Sequence, residues 1–203
     1  MVRVPLPINI KKWFKDAYLS IPSLYAKKFK NTCSTKLEKT LSELLITNFT
    51  IWTYEDNVRR KDLPDTEIAN FKRKIDIENQ KRNNLMDTID VILKNDIEKF
   101  VKKPTGSLPL NSETPGSIFD RLTVLCLREY HLEKETQRKD VEKSHIERCE
   151  KMLKEVRERS NDLLKCLEEL LTDYYNGKKR LKAYCQHKLY NDPALNPALR
   201  KQP

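Results

Sequence analysis

Arg60-Lys61-Asp62-Leu63-Pro64-Asp65-Thr66-Glu67 is the stretch that decides the fold. Pro64 has no backbone N–H to give to a helix, and Asp65, Thr66 and Glu67 supply the side-chain acceptors that favour a helix start. The stretch therefore predicts a turn between two helices. Upstream, Leu37, Leu41, Leu44, Leu45, Asn48, Trp52 and Glu55 recur at helical spacing from a start near Ser34 or Thr35. Downstream, Ile68, Phe71, Ile75, Asn79, Arg82, Leu85, Met86, Ile89, Ile92 and Leu93 do the same and reach toward Val101.

The same turn is written again 78 residues on, as Arg138-Lys139-Asp140-Val141. Around it Leu44 lies over Leu122, Trp52 over Tyr130, Glu55 over Glu133, Ile68 over Ile146, Asn83 over Asn161, and Leu85-Met86 over Leu163-Leu164. Nine of the fifty positions in 44–93 match 122–171 without a gap. Heptad-like patterning alone does not reproduce a shared turn, so the chain reads as two copies of one helical hairpin. Two hairpins bury their apolar stripes against each other. The expected fold is all-α, a four-helix bundle from two repeated helical hairpins with extra N- and C-terminal helices.

The expected divisions follow. Residues 1–32 are a basic segment with a short amphipathic helix over 8–21, in which Trp13, Phe14, Ala17, Tyr18 and Ile21 share one side. That helix is expected to dock on the bundle rather than lie on a membrane. Residues 33–102 are the first hairpin, and 103–117, with three prolines and two glycines, are a linker. Residues 118–176 are the second hairpin, stopped by Asn176-Gly177, and 177–203 are a basic C-terminal helix, about 178–190, and tail. Residues 33–203 form one domain in this reading.

Composition narrows the class. Three glycines in 203 residues are too few for the turns of a sheet protein. The net charge of +10 is carried by the ends: 1–50 and 176–203 each hold +6, and the middle is near balance at −2. Basic ends suit an anionic or phosphorylated partner, an acidic membrane surface, or nucleic acid. Five cysteines without a CxxC indicate neither a disulfide framework nor a zinc site, and Cys126, Cys149 and Cys166 read as core residues. No apolar run is long enough to span a membrane, and the N-terminus lacks a signal-peptide core, so a cytoplasmic protein is expected. No metal set or cofactor motif is present.

Polar residues interrupt the stripes. Asn48, Glu55, Asp56 and Arg59 do so on the first helix, Asp76, Asn79, Gln80 and Arg82 on the second, and Glu129, Glu133 and Ser160 on the later pair. In an antiparallel hairpin Asn48, Trp52, Asn79 and Arg82 are expected to cluster. Such groups form either a self-satisfied network that fixes helix register or a ligand site between helices.

Four spaced motifs carry a resemblance. Trp52-Thr53-Tyr54-Glu55-Asp56-Asn57-Val58-Arg59 is similar to W-x-x-E-D-x-x-R. Lys72-Arg73-Lys74-Ile75-Asp76-Ile77-Glu78-Asn79-Gln80-Lys81-Arg82 is similar to K-R-x-I-D-x-x-N-Q-x-R. Asn111 to Leu122, with Glu113, Thr114, Pro115, Asp120 and Arg121, continues to Tyr130-His131, and Tyr184 to Pro197 closes the pattern. Over about 36–200 the chain resembles the bacterial domain-of-unknown-function family numbered 4254, with Thr53 where that family places a histidine. The resemblance implies Trp52, Glu55, Asp56, Arg59, Asp76, Asn79, Gln80, Arg82, Asp120, Arg121, Tyr130 and His131 as characteristic site residues. It also implies a setting beside surface-glycan assembly.

Three functions compete. The first is an accessory protein that holds a phosphorylated or sugar-bearing ligand, with arginines on phosphate, Trp52 on a ring and Asn79 and Gln80 on hydroxyls. The second is a metal-dependent nucleotide or phosphoanhydride hydrolase using Glu55, Asp56, Asp76, Asp87 and Asp90, although only Asp87 and Asp90 share a helix face. The third is a non-specific nucleic-acid binder through the basic ends. His131 lacks the companions of a nucleophilic site.

Overall fold

The computed structural model describes residues 5–101, 107–184 and 193–199. The fold is all-α. Five helices follow in order: α1 (Ile10–Tyr25), α2 (Lys36–Val58), α3 (Asp65–Phe100), α4 (Pro115–Thr136) and α5 (Lys143–Tyr175), with a short 3-10 turn at Pro197–Leu199. No strand occurs among the described residues.

Local chemistry sets the starts. Thr35 caps α2 by accepting from the Glu38 N–H at 3.1 Å, and Glu38 accepts from the Thr35 N–H at 3.0 Å. Thr114 caps α4 with Ser117 as its reciprocal partner and Pro115 at the first helical position. α3 starts at Asp65 with Pro64 at its N-cap and no side-chain capping bond, so the cap expected from Asp65, Thr66 and Glu67 is not made; Asp65 and Glu67 instead place negative charge in the first turn.

The two hairpin turns are built alike. At the first, the Arg59 and Arg60 N–H groups bond the Asp56 and Asn57 carbonyls; at the second, Gln137 and Arg138 bond Lys134 and Glu135. Arg60 then forks onto Asp62 at 3.0 and 2.5 Å, and Arg138 onto Asp140 at 3.1 and 2.8 Å. The offset of 78 in the sequence is thus an offset of 78 in the exposed ion pair that spans each turn.

α2 packs along α3, and α4 along α5; the hairpins meet chiefly through α3 with α4 and α2 with α4. The pairs Asn48 with Asp120 and Trp52 with His131 make α2 and α4 neighbours that run in the same direction. The two turns therefore lie at one end of the molecule. The dense core lies at the other, where Leu41, Leu44, Ile89, Leu93, Phe119, Leu122, Leu167 and Leu171 are fully enclosed. Between 49 and 82 only Ile75 is buried. The hairpins are packed at their roots and open toward their turns.

α1 docks on α4 and α2, as its amphipathic pattern requires. The Trp13 ring meets Phe119 edge-on at 4.9 Å, and Ile21 is fully buried. The helix passes Pro22 and continues to Tyr25, beyond the end at 21 expected from sequence.

Two expectations are corrected. Residues 178–184 are not helical. Gly177 turns the chain with φ of +67°, and the Arg180 N–H then bonds the Pro109 carbonyl at 3.0 Å, so a contact with the 107–111 segment takes the hydrogen bond a helix would use. The remainder of the expected C-terminal helix, 185–190, lies outside the described residues. Cys166 is exposed, on the outer face of α5, whereas Cys126 and Cys149 are buried. No helix among the described residues is long and apolar enough to cross a membrane.

Candidate functional site

The residues expected to form one cluster fall into separate groups. The first is a largely buried polar node at the α2–α3–α4 junction. The Asn48 amide donates to Asp120 Oδ1 at 2.9 Å and Thr123 Oγ1 at 2.7 Å, and Arg82 Nε lies 3.5 Å from the same Asp120 oxygen. Asn48, Asp120 and Thr123 are all buried. A buried carboxylate needs this company, because an unpaired charge in a helix junction is strongly destabilising. The node ties α4 to both helices of the first hairpin, and within it the buried Arg82 Nε makes an ion-pair contact but no hydrogen bond.

The second group is aromatic and faces solvent. Trp52 on α2 and His131 on α4 stack face to face, with ring centroids 4.6 Å apart and planes 6° from parallel. Tyr25, on the last turn of α1, shares a hydrogen bond of 2.9 Å between its hydroxyl and His131 Nε2. Its ring stacks on Tyr130 at 5.8 Å and 20°. Phe49 closes the inner edge against Tyr25 at 4.7 Å. Tyr25 is exposed, Trp52, Tyr130 and His131 are half-buried, and Asp56 is exposed at the rim.

Burial lowers the His131 pKa from its ordinary 6.5, with Asp56 and Glu135 opposing, so the imidazole is held neutral near pH 7. Burial first, then the negative charge of Asp56, pushes the Tyr25 phenol up to about 12. The patch therefore presents aromatic faces, a neutral imidazole and one rim carboxylate.

The arginines do not converge. Arg59 pairs with Glu55 at 3.0 Å, and Glu55 also takes Lys72 at 3.2 Å. Arg121 pairs with Glu113, and Arg82 belongs to the polar node. Asp76 is exposed, and Asn79 and Gln80 are half-buried, Gln80 donating to Asn84 at 2.9 Å.

The stretch from Asn111 to Arg121 is explained by how α4 begins. The Asn111 amide donates to the Glu113 carbonyl at 2.9 Å, Thr114 and Pro115 start the helix, and Arg121 reaches back to Glu113. The Gly116 N–H then donates to the buried Asp90 at 2.7 Å. A Cβ at Gly116 would overlap the Met86 carbonyl oxygen, so only glycine lets α4 approach α3 this closely. Asp90 is raised to about 6 by burial, which the Thr114 and Gly116 donors only partly offset.

No three His, Cys, Asp or Glu side chains are grouped for a metal ion among the described residues. His145 Nε2 lies 2.9 Å from Glu135 and 3.4 Å from Cys149 Sγ. One nitrogen faces both partners, whereas a nucleophilic relay needs opposite ring nitrogens. The sequence reading missed Tyr25, Asn48's partner Thr123, and Asp90 as a helix cap. The nearest signal for Tyr25 was the aromatic run of α1, which reveals a docked face but not its target.

The sequence profile described as "Protein of unknown function (DUF4254)" matches residues 38–183. The chain belongs to that family. No curated protein and no solved structure matches it.

Proposed function

We propose that this family member is a binding protein for a sugar-bearing ligand, seated on the aromatic patch of Tyr25, Trp52, Tyr130 and His131 and serving as an accessory to bacterial surface-glycan assembly. The observation that carries the reading is the Trp52–His131 stack held at a solvent-facing junction of α1, α2 and α4. Sugar rings present faces of aliphatic C–H groups that pack on aromatic rings, and carboxylates such as Asp56 accept from their hydroxyls. The surface-glycan setting rests on the family resemblance.

Between a sugar and a phosphate, charge favours the sugar. Arg59, Arg82 and Arg121 are each matched by a carboxylate, and His131 is held neutral beside Asp56. A phosphate would have to break one of those pairs and approach a carboxylate.

A thermal-shift panel of mono- and oligosaccharides, sugar nucleotides and inorganic phosphate tests this. A sugar-containing compound should raise the melting temperature of the wild type, and Asp56→Asn should abolish the shift while leaving the unliganded melting temperature within a degree or so of wild type. A shift with phosphate alone, or one indifferent to Asp56, would overturn it.

A further inference from the structure

α1 buries one side and leaves the other to solvent. Ile10, Ala17, Ile21 and Leu24 are buried against the bundle. At helical spacing Leu19 and Pro22 stand on the opposite side, and Ala26 at the C-cap continues their line. All three are exposed, Leu19 at 61%. Lys11 and Lys15 precede this apolar strip on the outer side. Lys27 and Lys28 follow it where the chain leaves the helix, Lys27 with φ of +53° and the Lys28 N–H bonded back to the Ser23 carbonyl at 2.9 Å. All four lysines are exposed. At helical rise the two pairs stand about 20 Å apart. This helix precedes the family-matched residues.

The charge here is a local surplus. Residues 10–39 hold eight lysines, against Asp16 and Glu38 alone. Lys12 and Lys30 balance Asp16 and Glu38 along a cleft on one flank of α1. On the other flank Glu133, bonded to Tyr18, is paired with Arg157 at 2.8 Å, and Asp56 acts on Tyr25. The surplus therefore rests on Lys11, Lys15, Lys27 and Lys28, with Lys36 and Lys39 at the start of α2, and Asp56 offsets it by one charge. None of these six lysines forms an ion pair among the described residues. An apolar strip between lysines suits the boundary of a lipid bilayer, where the strip enters below the headgroups and the ammonium groups stay on lipid phosphates. Nucleic acid offers no apolar layer to Leu19, and residues 5–58 contain no arginine to fork onto its phosphates.

We propose that the outer face of α1 seats the protein on an anionic lipid bilayer, with Leu19, Pro22 and Ala26 at the headgroup boundary and Lys11, Lys15, Lys27 and Lys28 on lipid phosphates. The inward face of α1 stays docked on α4 and α2, so the contact does not require the helix to leave the bundle. The surface is independent of the sugar reading, and either can fail without the other.

The test is co-sedimentation of the full chain with vesicles of phosphatidylcholine, with and without phosphatidylglycerol, at about 0.1 M salt. The protein should sediment with the anionic vesicles and not with the neutral ones. Replacing Lys11, Lys15, Lys27 and Lys28 together by glutamine should weaken binding about fivefold per lysine, on the order of 100-fold or more in all. The same change of net charge on α5, with Arg148, Lys151, Lys154 and Lys165 replaced by glutamine, should weaken it only a few-fold. All eight side chains are exposed, and circular dichroism confirms that both variants keep the wild-type fold. Leu19→Ser should weaken binding severalfold, because the strip then loses its largest apolar side chain. Equal binding to neutral vesicles, no binding to anionic ones, equal losses in the two charge variants, or a Leu19→Ser variant that binds like the wild type would each overturn the proposal. Labelled duplex DNA serves as the competing anion: DNA binding that needs the four α1 lysines, without vesicle binding, would assign the face to nucleic acid and overturn it as well.

Discussion

The Trp52 indole and the His131 imidazole lie parallel, 4.6 Å apart, one from each hairpin. The two positions differ by one residue in the repeat: Trp52 corresponds to Tyr130 and Thr53 to His131. The stack therefore joins two positions that the 78-residue offset does not pair.

This stack predicts a pH dependence. His131 has a folded pKa below its ordinary value, so the unfolded chain takes up the proton first. The stability contributed by neutral His131 is present above about 6.5 and is lost as pH falls through the folded value. Chemical denaturation at pH 7.5 and at pH 5 should show a smaller drop in His131→Phe than in the wild type. An equal drop would assign the titration elsewhere.

The polar node predicts opposite signs for adjacent residues. Asn48→Leu should cost about 2 kcal/mol, because Asp120 and Thr123 lose a buried donor. Thr47 is fully buried and its hydroxyl has no hydrogen-bond partner. Thr47→Val, nearly the same shape, should gain about 1 kcal/mol by removing that desolvated group. Urea midpoints of the two variants check both signs.

The contact of α4 with α3 predicts a third pair. Gly116→Ala should cost about 3 kcal/mol, since the methyl meets backbone that cannot step aside. Asp90 has its folded pKa raised to about 6 from 3.8. The stability of its protonated form is present below 3.8 and lost as pH rises through about 6, a loss on the order of 2–3 kcal/mol. Asp90→Asn keeps an acceptor for the Gly116 N–H and carries no charge, so the variant should exceed the wild type in stability at pH 7.5 and lose the advantage at pH 4.

The helices were legible because their ends are local chemistry. Thr35 with Glu38, Thr114 with Pro115, and the repeated Arg-Lys-Asp turns each act within a few residues, and periodicity supplied the buried faces. Over 178–184 the helical spacing of Leu181 and Tyr184 is not realised as a helix, because the Arg180 N–H is satisfied by Pro109, a partner 71 residues away. The spacing of the polar residues suggests one cluster for a similar reason. Their positions on α2 and α3 were sound, but Asp120 enters between those helices and gathers Asn48 and Arg82, while Trp52 turns instead toward His131. Which partner a polar residue finds depends on how the hairpins and α1 cross, and no local pattern encodes that. Tyr25 completes the patch from a helix that precedes the family-matched residues.

The central claim is that a sugar-bearing ligand rests on the Trp52–His131 stack. The chain has two tryptophans, so a proton–nitrogen NMR spectrum gives two indole signals, assigned through Trp13→Phe. Titration with the sugar compound that stabilises the protein should move the Trp52 signal and leave Trp13 in place, and in Asp56→Asn neither signal should move. A Trp52 signal that stays fixed while ligand binds, or movement confined to Trp13, would contradict the account.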